Sequence, residues 1–323
     1  MNRIAASLAA LLLTMALGAC GGSGAEPDAP SDGARPTLVL DFQPNAVHAG
    51  IYAALADGAA LDVRIPGAST DAPKLLQAGR ADLAVMAIQD LAIARERGAD
   101  LVAVGALVQR PLAAVIAAEE AAIRSPADLR GATVGVTGLP SDDAVLAAVL
   151  DSAGGDHGDP PDTVTIGFDA ISALSAGRVD AATAFWNVEG VALREAGVPT
   201  REFRVDDFGA PAFPELVLVT TRERLDADRE LIASVVDDLR AGYQSAIDDP
   251  QAALADELDA VPGLREDTLV AQLEALGGAF EPALELNRRE IERWADYAVD
   301  YGIVAERPDV DSAFDFGLAN GTG

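Results

Sequence analysis

The sequence runs to 323 residues, half of them hydrophobic, and sets 52 acidic against 23 basic side chains for a formal net charge of −29. A surface that negative repels nucleic acid, and because Lys74 is the only lysine its positive charge is almost all arginine. Such an acidic, lysine-poor surface stays hydrated in salt and fits a saline habitat. One cysteine gives no disulfide framework, and two distant histidines, His48 and His157, give no metal-ligand set.

Residues 1–19 read as an export signal. Arg3 supplies a short charged start, and Ile4 to Leu17 is an apolar stretch too short to span a bilayer. It closes on Leu17-Gly18-Ala19-Cys20, a lipobox in which cleavage leaves Cys20 as the new N-terminus with diacylglycerol on its sulfur. Loss of Arg3 with the signal makes the chain one unit more negative. Residues 20–36, with Gly21, Gly22, Gly24, Pro27, Pro30 and Pro36, cannot bury a core and form a flexible tether. A folded body begins at Thr37 and is long enough for two lobes.

Along that body, short apolar runs alternate with helical spacing. Strands are predicted at 37–42, 82–86, 101–108, 133–137, 163–168 and 180–185, with helices between them such as 142–153 and 188–196. This alternation predicts an α/β architecture of parallel sheets covered by helices. From Asp226 the strands stop and amphipathic helices take over, including 229–247 and 287–301. Leu76-Gln-Ala-Gly79-Arg80-Ala-Asp82-Leu-Ala84 recurs as Leu174-Ser-Ala-Gly177-Arg178-Val-Asp180-Ala-Ala182. In each, a helix ends on glycine and a strand is entered through aspartate, which predicts two lobes of like topology. Ligands of open α/β sheets lie beyond the carboxyl ends of the strands, so two facing lobes form a cleft.

The segment Leu40-Asp41-Phe42-Gln43-Pro44-Asn45-Ala-Val-His48-Ala-Gly50-Ile51-Tyr52 resembles the opening motif of the thiamine-pyrimidine branch of solute-binding proteins. The resemblance continues through the Gly-Arg-Ala-Asp turn, Gln109-Arg110-Pro111, 125–131, Gly135-Val-Thr-Gly138, Trp186-Asn187-Val-Glu189-Gly190 and Gly209-Ala-Pro211 to Pro214-Glu215-Leu216. It covers about 37–249. It implies a two-lobed type II periplasmic-binding-protein fold with two interlobe crossovers, placed near 109–111 and 211–215. Lobe one is then 37–110 with 216–305, lobe two is 111–215, and 306–323 is a C-terminal tail. The expected role is that of a lipid-anchored monomer on the extracytoplasmic face of the membrane, passing a small heterocycle to an ABC permease.

Seven residues are expected at the ligand. Phe42 and Trp186, at strand ends of opposite lobes, would sandwich a flat ring. Glu189, in the first turn after Trp186, would accept hydrogen bonds from an aminopyrimidine, or else complement the helix dipole. Asn187 would contact the ligand or cap that helix. Asn45 suits a heterocycle edge, and His48 beside it is a contact or a structural histidine. Ser141 opens a helix as N-cap and contact, while Asp142 and Asp143 behind it disfavour an anion unless Arg110 compensates. Neither catalytic residues nor a cofactor are expected. A pyrimidine synthase shares the fold, but the resemblance places its cofactor lysine at Met86 and its donor histidine at Asp90, and its cysteine segment at 210–218 has no cysteine here. Phe42 stands where the pyrimidine binders would have tryptophan, which leaves riboflavin, a sulfonate or another aromatic as alternatives.

Overall fold

The structure, a computed structural model, describes residues 35–67, 72–139, 141–154 and 160–322; Cys20, the signal, the tether to Ala34, Pro140 and His157 lie outside them. In chain order the first lobe opens with β1 (Thr37–Val39), α1 (Ala49–Ala56), β2 (Asp62–Arg64), α2 (Ala72–Gln77), β3 (Leu83–Ala87), α3 (Ile88–Glu96) and β4 (Leu101–Val108). The chain then builds β5 (Ala113–Ala118), β6 (Thr133–Val136), α4 (Ser141–Asp151), β7 (Asp162–Thr165), α5 (Ala170–Ser175), β8 (Ala181–Phe185), α6 (Glu189–Glu195) and β9 (Thr200–Arg204). It returns through β10 (Leu216–Thr221) to helices α7 (Arg222–Ala227), α8 (Arg229–Asp248), α9 (Pro250–Ala260), α10 (Glu266–Leu276), α11 (Arg288–Asp300), α12 (Val310–Ala313) and α13 (Phe316–Ala319).

Two five-stranded sheets result, ordered β2-β1-β3-β10-β4 and β7-β6-β8-β5-β9. Both are mixed, where the alternation of strands and helices predicted parallel ones. In each, the strand that follows a crossing of the chain runs against its neighbours: β10 is antiparallel to β3 and β4, and β5 to β8 and β9. The physical reason is the route: a chain that crosses between lobes enters the new sheet from the cleft end, opposite to a strand delivered by a helix. The central strands are buried along their length, β4 without interruption, which is the burial a sheet covered on both faces requires.

The repeated sequence is a repeated structure. Gly79 and Gly177 hold φ of 63° and 62°, a left-handed conformation that glycine adopts without strain. The Asp82 carboxylate accepts from the Thr37 amide at 2.8 Å, and Asp180 accepts from Thr133 at 2.8 Å, so each aspartate staples its strand to the parallel neighbour, β3 to β1 and β8 to β6. Only Asp82 has a further partner, Arg224 Nε at 2.7 Å.

Helices α8 and α9 cover α1 on the first lobe. Within that layer Glu257 is fully buried with neither carboxyl oxygen hydrogen-bonded, and burial pushes its pKa to about 8. The segment beyond residue 305, expected as a tail, packs on the first lobe: Phe314 is buried and forms a bridge with Ala103 of β4. Lys74 is exposed on α2. Among the described residues no helix is long and apolar enough to cross a membrane, and no group of His, Cys, Asp and Glu is arranged to hold a metal ion.

Candidate functional site

A cavity of about 140 Å³ lies where the two sheets face each other. Its wall comes from segments just past β1, β3, β6, β7 and β8 and from the start of β5 and β10. The parallel strands β1, β3, β6, β7 and β8 point their carboxyl ends at it, and the antiparallel strands β5 and β10 their amino ends.

On the first lobe, Asp41, Phe42 and Asn45 line the cavity and His48 does not. The His48 ring is fully buried; its Nδ1 accepts from the Asn45 amide at 3.2 Å, which leaves Nε2 to donate to Asp41 Oδ1 at 2.8 Å. His48 therefore orients the loop from behind. Asn45 spends its polar atoms locally: Oδ1 accepts from the Val47 amide at 3.3 Å and Nδ2 donates to the Gln43 carbonyl at 3.0 Å. Phe42 meets Phe168 of the second lobe at the rim, with ring centroids 5.8 Å apart and planes at 39°. A ring inserted between them needs two contact distances, about 7 Å, so this pair closes the cavity in the form seen.

On the second lobe, Ser141 begins α4 on the cavity wall, but the donors of the preceding turn converge on Asp142. Asp142 Oδ2 accepts from Thr137 Oγ1 and Gly138 N at 2.7 Å each and from Leu139 N at 2.9 Å; Oδ1 accepts from Thr183 Oγ1 at 2.7 Å. The amides that a strand-to-helix turn offers to an anion are thus filled by the chain's own carboxylate. Arg110 does not compensate: its Nε and Nη2 sit 3.1 and 2.6 Å from Asp206 Oδ2.

Trp186 does not reach the cavity. It is fully buried, its indole N–H donates to the Pro111 carbonyl at 3.1 Å, and Arg204 lies 4.1 Å from its ring centroid. Thr183, Ala184 and Phe185 line the cavity, and Trp186, the first residue past β8, packs into the core instead. The ring on the cavity is Phe185. Asn187 is fully buried on the cavity wall with neither amide atom partnered, and the residue at the helix cap is Val188. Glu189 lines the cavity, accepts from the Phe185 amide at 3.0 Å, and has its pKa raised by burial against the pull of that hydrogen bond.

Three further polar residues line the cavity, one on a crossover and two on α3. Glu215 is buried on the second crossover; its amide donates to Val108 O at 3.0 Å and its Oε2 accepts from Leu112 N, on the first crossover, at 2.9 Å. Burial, opposed by the Leu112 and Ala113 amides, moves its pKa to about 7, with Asp90 adding repulsion. Asp90, on α3, is raised to about 6 by burial and by the charge of Asp41, with Arg97 pulling the other way. Gln89 is 5% exposed, hydrogen-bonds Glu215, and leaves its Oε1 without a partner. Among the described residues the cavity wall carries Asp41, Asp90, Asp142, Glu189 and Glu215 and no Lys, Arg or His. The arrangement can take up a flat, donor-rich, neutral or positively charged solute. The sequence signal for Phe185 was its place at the carboxyl end of a strand, and for Glu215 an acid inside an apolar run; Phe168 and Gln89 had none.

A model of the family described as NMT1/THI5 like matches residues 45–253. Over 224 residues the chain is 31% identical to the formylaminopyrimidine-binding protein of Halalkalibacterium halodurans, covering 67% of this chain and 68% of that one. Among solved structures it is similar to the ligand-binding component of an ABC-type import system from Staphylococcus aureus, with TM-score 0.71, 15% identity and coverage of 89% and 98% of the two chains. It is also similar to the periplasmic aliphatic sulphonate binding protein of Escherichia coli, with TM-score 0.69, 18% identity and coverage of 88% and 98%. These likenesses establish the periplasmic-binding-protein fold.

Proposed function

The chain belongs to the NMT1/THI5-like family, and from that premise we propose that it is the solute-binding component of an ABC importer whose ligand is an aminopyrimidine related to the thiamine precursor. The observation that carries the ligand class is the cavity wall: aromatic rings Phe42, Phe168 and Phe185, five carboxylates, and no basic side chain among the described residues. A protonated or amino-substituted pyrimidine supplies the donors this wall accepts. Glu189 receives the amino group and ring nitrogen, and the unpaired Asn187 amide completes the edge. A sulfonate, although bound by a relative of this fold, would meet Asp142 where it needs free amides. The role is capture and delivery rather than catalysis.

Calorimetric titration tests this. Hydroxymethyl-aminopyrimidine and its formylamino relative should release heat, while riboflavin and taurine should not. Glu189→Gln should weaken binding by about 1.5–3 kcal/mol, the range for a hydrogen bond to a charged group. Tight binding of taurine or riboflavin with no heat from any pyrimidine would overturn the assignment. The same reading has the mature chain held outside the cytoplasmic membrane by lipid on Cys20. Cys20→Ala should move the protein out of the membrane fraction, and a wild-type N-terminal peptide without lipid mass would refute the anchor.

A further inference from the structure

The cavity wall holds a group of acceptors that ring recognition at Glu189 does not use. Asp90 and Glu215 share it with Gln89, and each of the three lines the wall. The carboxyl of Asp90 takes no hydrogen bond from any described residue, so its two oxygens are free for a ligand. Glu215 spends Oε2 on the Leu112 amide. Gln89, nineteen-twentieths buried, uses its amide on Glu215 and leaves Oε1 unpaired. Across the cavity Asn187 is fully buried with both amide atoms unpaired. Buried polar atoms without partners are uncommon in folded proteins and cost free energy until something pairs them. Asp41 is already committed to His48, which leaves no internal cation for Asp90 and Glu215 on the wall.

We propose that Asp90, Glu215 and the Gln89 carbonyl form an ammonium subsite, so that the preferred ligand is an aminopyrimidine bearing a protonated aminomethyl arm. The inference rests on the pyrimidine reading for the ring and on this cluster for the arm. An alkylammonium carries three donors and no acceptor, which matches a floor built of acceptors. A hydroxymethyl arm brings one donor, and a formylamino arm brings a carbonyl oxygen that faces the carboxylates with like polarity. The charge-assisted bonds to the ammonium are the stronger kind, and they neutralise two carboxyls that burial otherwise penalises.

The test compares three matched probes by calorimetry at one pH: 4-amino-2-methylpyrimidine carrying a 5-aminomethyl, a 5-hydroxymethyl or a 5-formylaminomethyl arm. The aminomethyl probe should bind at least tenfold tighter than the hydroxymethyl one, and that ratio should fall towards one in Asp90→Asn and in Glu215→Gln. Circular dichroism of both variants checks that they are folded, and Asp90→Asn keeps the test open should the crossover variant fail to fold. A wild-type ratio near one, or a ratio that survives both substitutions, overturns the subsite while leaving pyrimidine capture standing. Benzylammonium set against benzyl alcohol at millimolar concentration separates the two readings. A preference for the ammonium without any pyrimidine binding would support the subsite and sink the pyrimidine assignment; no preference in either series would sink the subsite.

Discussion

Strand β3 of the first lobe and strand β8 of the second are entered through the same Gly-Arg-x-Asp turn, and their side chains stay in step to the strand end. Ala87 of one answers Phe185 of the other on the cavity wall, and Ile88 answers Trp186 in the core. Just beyond, each lobe sets a carboxylate in the first turn of the next helix, Asp90 on α3 and Glu189 on α6. The frame is duplicated and the chemistry is not. Phe168, Phe185, Asn187 and Glu189 come to the cavity from the second lobe, while the first supplies Phe42, Asp41 and Asp90.

The comparison breaks most visibly at the paired core positions. Trp186→Ala should cost about 3–5 kcal/mol of stability, and Ile88→Ala roughly 2–5 kcal/mol, as buried side chains removed from opposite lobes. Urea unfolding reads both; a Trp186→Ala protein of unchanged midpoint that has merely lost affinity would return Trp186 to the ligand. The paired staples come next. Asp82→Ala frees both the Thr37 amide and Arg224, so it should cost about 2 kcal/mol, against about 1 kcal/mol for Asp180→Ala, whose carboxylate holds only Thr133. Equal midpoints for the two variants would show that Arg224 adds nothing.

The helical layer over the first lobe adds a dependence on pH. The folded-state pKa of Glu257, about 8, lies above its ordinary value of 4.5. Below that lower value both states hold the proton and the group is neutral to stability. Between the two values the unfolded chain releases a proton that the fold retains, so stability falls with rising pH by about 1.4 kcal/mol per unit from this group; above the folded value the loss is complete. Glu257→Gln should flatten the decline in denaturation midpoint between pH 5.5 and 8, and an unchanged slope would assign the decline elsewhere. The smallest effect belongs to Phe185→Ala, expected to weaken pyrimidine binding by about 1 kcal/mol in calorimetry with lobe-two stability little changed.

The strands that could be read in advance, such as Leu101–Val108 and Ala181–Phe185, are apolar runs bounded by turn residues. Ala113–Ala118 could not be read that way, because alanine favours strands poorly and four of those six residues are alanine. The edge strand Thr200–Arg204 carries charge at Arg201, Glu202 and Arg204 and resembles a loop. Leu216–Thr221 was legible as sequence but its direction was not, since direction depends on how the chain returns across the cleft. At the site, resemblance led to Phe42, Asn45, Asn187 and Glu189 and the helix start to Ser141; all five line one cavity, though the Asn45 amide is spent within its own loop. It also led to Trp186, one residue past Phe185, the ring that lines the cavity. Phe168 escaped notice because only tertiary contact with Phe42 gives an exposed loop phenylalanine a role.

The exposed Lys74 on α2 makes the molecule convenient to observe. With one lysine in the sequence, an amine-reactive dye has a single side chain to attack, and it sits on the first lobe. The sole native thiol, Cys20, precedes the folded body, so a Cys20→Ala background accepts a cysteine at an exposed second-lobe position such as Ile171 or Val164 for an orthogonal label. The separation of two dyes, read one molecule at a time, then reports how far and how often the lobes part around the acidic floor.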